Sequence, residues 1–156
     1  MSSVADRLDV IDTCTRMAWY TDSRDWDKLG ETFADEIRLD YTSLNGGEPF
    51  TIARKDLVGA WSGLLGAFTA TQHILSNFIA EVSDDGTATA TAMFQATHRM
   101  PNDYGGPLWT LAGKYRFGLT RTETGWVIDD VVMTVLWSDG NQQVFTEAAK
   151  IAAGES

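Results

Sequence analysis

The apolar pattern of the chain changes period at Gln72, and that change limits the folds open to it. From there on, β-compatible runs cover roughly 72–83, 87–99, 108–121 and 126–137. They are broken at Asp85-Gly86, at the loop PNDYGGP (101–107) and at Glu123-Thr124-Gly125. Four long strands joined by turns predict an antiparallel meander. Upstream the spacing is helical. Val4, Leu8, Ile11, Thr15 and Ala18 recur at steps of four and three, which predicts a first helix buried on that face. Trp26, Leu29 and Phe33 predict a second, with Ser23 or Asp25 as its N-cap. IRLDYTS (37–43) alternates, placing Ile37, Leu39 and Tyr41 on the inward face of a strand. Leu57, Val58, Trp61, Leu64, Leu65 and Phe68 predict a helix capped near Thr51, and Val144, Ala148 and Ile151 a last one ending before Gly154. Helices followed by strands describe an α+β domain in which a bent antiparallel sheet folds against helices and can enclose a pocket.

Length and charge narrow the function. The 156 residues, 44% of them apolar, suit one domain over 1–156 with one core. With 12 basic against 22 acidic residues the net charge is −10, the wrong sign for a partner of nucleic acid or an anionic membrane. The N-terminus MSSVADRLDV lacks the basic head and apolar run of a secretion signal, and no run is long enough to span a bilayer, so a cytoplasmic, soluble protein is expected. The single cysteine, Cys14, cannot form an internal disulfide, and two histidines are too few for a multi-histidine metal site. No GxSxG, phosphate-cradling glycine loop or dinucleotide fingerprint is present.

Those two histidines carry the strongest spacing argument. A two-residue turn at Asp85-Gly86 sets His73 directly opposite His98, with Cβ atoms roughly 5 Å apart. The shared face carries Leu75, Ile79, Ala92, Phe94 and Ala96, with Asn77 as a polar exception, so it looks inward. A lone inward histidine is more often a satisfied core residue than a catalyst. Two facing one another cannot easily both be charged, so at least one stays neutral near pH 7, as a general base requires. Asp22 lies one step of four beyond Ala18 and puts a carboxylate on the core side of the first helix. It then needs a partner such as a histidine; the alternative is that the helix ends first and Asp22 faces solvent or caps the next helix. Tyr41 offers a phenol to a pocket or is simply core. Trp61, Leu75 and Ala96 are candidate pocket walls for an apolar ligand.

TDSRDWDKL (21–29), RLDYTS (38–43), DLVGAWSG (56–63), TQHI (71–74) and the histidine ending the next strand together resemble scytalone dehydratase, within the SnoaL-like, nuclear transport factor 2-like superfamily. The resemblance is clearest over about 14–100. It implies a cone-shaped α+β barrel, a strongly bent antiparallel sheet wrapped by N-terminal helices around a deep pocket. It also implies loss of water from a β-hydroxy ketone through an enol or enolate, without metal or organic cofactor. The family's catalytic aspartate falls on Asp22, its histidines on His73 and His98, and one of its two water-holding tyrosines on Tyr41. The other falls on Thr21, which has no phenol, and the family's pocket asparagine has no evident match. In the implied mechanism His73, oriented by Asp22, removes the α-proton; His98, with His73 or a held water, protonates the departing hydroxyl; Tyr41 donates to the enolate oxygen. The implied partner is a small hydrophobic or aromatic, polyketide-like ketone. Isomerisation or cyclisation would use the same abstraction, and a non-catalytic binder of hydrophobic ligands is the reading from another class. Ile74, Phe78 and Met93 on the outer face suggest a homo-oligomer, a dimer or a trimer.

Overall fold

The computed structural model describes residues 3–155. Helix α1 (Val4–Ser23) opens with a capping box, the Ser3 hydroxyl accepting from the Asp6 backbone N–H, and closes at Arg24 in the left-handed conformation, φ 58°. Helix α2 (Trp26–Glu31) is capped by Asp25, whose carboxylate accepts from the Lys28 N–H. Strand β1 (Phe33–Asp40), the single turn α3 (Thr42–Asn45), strand β2 (Phe50–Ala53) and helix α4 (Arg54–Ala67) follow. Strands β3 (Ala70–Val82), β4 (Thr87–Arg99), β5 (Leu108–Thr122) and β6 (Gly125–Gly140) form the expected meander, and α5 (Gln143–Ala152) ends the fold.

All six strands form one sheet in the order β2-β1-β6-β5-β4-β3. The α+β architecture is as expected, with two differences from a closed antiparallel barrel. The β1–β6 pair is parallel, and the sheet stays open, with β2 and β3 as its edges. Turn chemistry reveals hairpins, whereas a parallel pair is closed through a long crossover that leaves no local mark. Strand β2 and the turn α3 were not foreseen. Thr51 lies in β2, and the N-cap of α4 is Ala53, which makes no side-chain cap bond. Tyr41 follows β1 rather than lying within it.

The core face of α1 is offset from the expected stripe. Val10, Cys14, Met17, Ala18 and Thr21 are buried, whereas Val4, Leu8 and Thr15 are exposed. Small and polar residues can face inward because the Thr13 and Thr21 hydroxyls donate to the carbonyls of Asp9 and Met17, each at 2.8 Å. In α5, Val144 and Ala148 are buried but Ile151 is exposed.

The β3–β4 hairpin differs from its expected register in two places. Ser83 donates to Thr87 O across a three-residue loop with Gly86 at φ 84°, so the turn is one residue longer. Farther along, a bulge places both Asn77 (φ 56°) and Phe78 opposite Ala92. The bulge swaps the faces beyond it, so Phe78 packs against the core and Ile79 is exposed. Ile74 and Met93 are exposed, as expected. The two one-residue shifts act in the same direction, so His73 pairs with Ala96 and His98 with Thr71, a diagonal in place of the predicted direct pair. Because the shifts total two residues, both imidazoles keep the same face.

Candidate active site

Asp22 lies in the last turn of α1, which continues through Ser23, so it neither escapes to solvent nor caps α2. A carboxylate at a helix C-terminus opposes the helix dipole and needs compensation. Strand β3, packed along α1, supplies it. Asp22 Oδ2 accepts the His73 backbone N–H at 2.6 Å, and Oδ1 accepts the Thr71 hydroxyl at 2.9 Å and His73 Nδ1 at 2.7 Å. A carboxylate can only accept, so Nδ1 carries the proton and Nε2 of His73 is left as a base. The pair is mostly screened from water, with side-chain exposures of 13% for His73 and 21% for Asp22.

His98 is buried between Phe68 and Trp109, with ring centroids at 4.9 and 5.0 Å, and its ring stands edge-on to that of His73 at 5.8 Å. Its Nδ1 lies 3.3 Å from the Trp109 carbonyl, another pure acceptor, so this nitrogen also carries the proton. Burial, reinforced by the neighbouring His73, pushes the His98 pKa down to about 4. His98 is therefore neutral at pH 7, and its unprotonated Nε2 is an acceptor with no proton to give.

The phenols of Tyr41 and Tyr115 line the same cavity and influence one another. Burial raises both, Tyr41 well above the usual phenol range and Tyr115 to about 12, so both remain donors. The chain thus has two facing phenols although Thr21 is not one of them; Thr21 is buried and its hydroxyl is taken by Met17 O. Tyr115 was missed in the sequence, yet it continues the inward alternation Trp109, Leu111, Gly113, Tyr115, Phe117 of β5. Asn45, on α3, also lines the site and belongs to no periodic run that could have marked it.

Two spaces meet at His73. An inner cavity of about 170 Å³ is lined by His73, His98, Tyr41, Tyr115, Trp61 and Ala96, among other residues. An open groove of about 690 Å³ between α1 and β3 reaches Asp22 and His73 from outside. Of the expected walls, Trp61 and Ala96 lie on the inner cavity. Leu75 instead lines the outer groove between α1 and the edge strand β3. Among the described residues no three His, Cys, Asp or Glu side chains are grouped to hold a metal ion.

The open, bent six-stranded sheet packed with helices is the cone fold of the nuclear transport factor 2-like class. The chain belongs to the SnoaL-like domain family, whose sequence profile matches residues 2–132. Kfla4162 from Kribbella flavida superposes with a TM-score of 0.84 at 26% identity, covering 93% of this chain and 97% of that one. A proposed aromatic ring hydroxylase from Novosphingobium aromaticivorans superposes at 0.79 with 22% identity, over 93% and 99% of the two chains. A proposed scytalone dehydratase from the same organism superposes at 0.75 with 16% identity, over 88% and 89%. No curated protein matches this chain in sequence.

Proposed function

We propose that the protein is a lyase that removes water from a hydrophobic β-hydroxy ketone through an enolate. The observation that carries this reading is the 2.7 Å bond from His73 Nδ1 to Asp22 Oδ1, which fixes a proton on Nδ1 and so assigns Nε2 as the basic nitrogen of a side chain in the wall of an apolar cavity. The scytalone dehydratase-like neighbour and the family membership are consistent with it. His73 Nε2 takes the α-proton, and the electron pair moves onto the carbonyl oxygen, where the Tyr41 and Tyr115 phenols donate to the developing charge. As the enolate collapses, the carbon–oxygen bond β to the carbonyl breaks. The leaving hydroxyl takes the proton now on His73 and departs as water, restoring the neutral base. His98 is neutral at rest and accepts a hydrogen bond from the substrate hydroxyl, orienting the leaving group rather than protonating it.

Enone formation from a panel of β-hydroxy ketones, followed by ultraviolet absorbance, tests the reaction; α-proton exchange in heavy water, followed by NMR, tests the first step alone. His73→Ala and Asp22→Ala are expected to fold and to lose both. Folded variants that keep wild-type exchange and enone formation would refute the assignment. A product of unchanged mass would redirect it to isomerisation or cyclisation, which share the proton abstraction.

A further inference from the structure

The inner cavity is small for a ligand site. Small-molecule pockets usually measure roughly 300–1,000 Å³, and this one measures about 170 Å³. A buried apolar cavity of about 150 Å³ holds one benzene ring. The walls that set this size are packed in pairs, so none can yield alone. Trp61 stands edge-on to Phe33 at 5.6 Å, Phe94 lies 4.5 Å from Tyr115, and Trp109 lies 5.4 Å from Phe145. Admitting a second fused ring requires displacing one of these pairs, and close-packed interiors resist that. Polar atoms of His73, His98, the two tyrosines and Asn45 take up part of the same boundary and fix where a carbonyl can sit.

From these walls we infer that the part of the substrate ketone that enters the inner cavity is a single six-membered ring, or an open chain of equal bulk, and that a fused two-ring system does not fit there. The word ketone rests on the lyase reading above; the size limit rests on the cavity alone.

Phenol and 2-naphthol, planar mimics of a one-ring and a two-ring enol, separate these two parts. Binding is titrated by NMR, using the side-chain shifts of His73 and His98 to place the ligand in the inner cavity. By apolar area alone 2-naphthol would bind more tightly. The wild-type protein is expected to reverse that order and to favour phenol by about tenfold. Leu64→Ala, which removes three carbons from the cavity wall, is expected to restore the preference for 2-naphthol, and Phe145→Leu provides the same test should the first variant not fold. Tighter binding of 2-naphthol to the wild type, no binding of either probe, or a phenol preference unchanged in the enlarged variants would each overturn the size limit. Absence of α-proton exchange with cyclohexanone, alongside the expected binding order, would overturn the lyase reading and leave the size limit standing.

Discussion

Asp22→Asn preserves the size of the side chain and replaces one of its oxygens with a donor. In the wild type Oδ2 holds the His73 backbone N–H at 2.6 Å, while Oδ1 takes both Thr71 Oγ1 and His73 Nδ1. The backbone N–H is fixed by its strand, so the amide oxygen of the variant stays on it and the NH₂ faces Nδ1. Thr71 adapts by turning its hydroxyl to accept. His73 can adapt only by moving its proton to Nε2, which removes the basic nitrogen from the cavity. Keeping the proton on Nδ1 would set two donors against each other and leave a neutral amide–imidazole hydrogen bond of roughly 0.5–1.5 kcal/mol unmade. Loss of a general base typically costs about 10² to 10⁴ in rate, so α-proton exchange is expected to fall by that factor while the fold persists. With two histidines in the chain, ¹⁵N spectra of the imidazoles read the tautomer directly. The wild type is expected to show the proton on Nδ1 of His73, and the variant on Nε2. A variant whose His73 has changed tautomer but whose exchange rate has dropped less than about threefold would refute the assignment of Nε2 as the base.

Acid should weaken the fold through His98. Its pKa falls from 6.5 to about 4 on folding, so between those values the unfolded chain binds a proton that the native state does not. The contribution is complete above about pH 6.5 and is lost as pH falls towards 4, by roughly 3 kcal/mol at most. Urea midpoints at neutral pH and near pH 4.5 should therefore diverge more in the wild type than in His98→Asn; equal divergence would contradict it. Tyr115→Phe removes one donor from the developing enolate while Tyr41 remains, and is expected to slow α-proton exchange roughly tenfold to a hundredfold with little change in melting temperature. An unchanged rate would remove Tyr115 from the chemistry.

Local signals were enough to place the four-strand meander, the capped start of α2 and the last helix, because alternation, glycine turns and capping side chains act over a few residues; Phe33, which the helical spacing assigns to α2, instead opens β1. They failed where a side chain's own hydrogen bonds or a long-range partner decided the outcome. The apolar stripe chosen on α1 was offset because Thr13 and Thr21 satisfy their own hydroxyls and so can be buried, which hydrophobicity alone does not reveal. Alternation puts Leu75 on the inner wall, whereas it lines the outer groove beside the edge strand.

The sequence by itself determined the chemical inventory: two histidines on one face of one hairpin, an aspartate at the step after the apolar stripe of the first helix and an inward tyrosine at 41. Parity protected that result, since a longer turn and a bulge together moved the register by two residues and left both imidazoles facing the same way. Only the tertiary structure decided which atoms meet. Packing of α1 against the sheet edge joined Asp22 to His73 across 51 positions of sequence, and Tyr115 of β5 and Tyr41 came to line one cavity. The volume left among the paired aromatic rings is also a tertiary property, because side-chain sizes are written in the sequence but the space between them is set by how the elements pack.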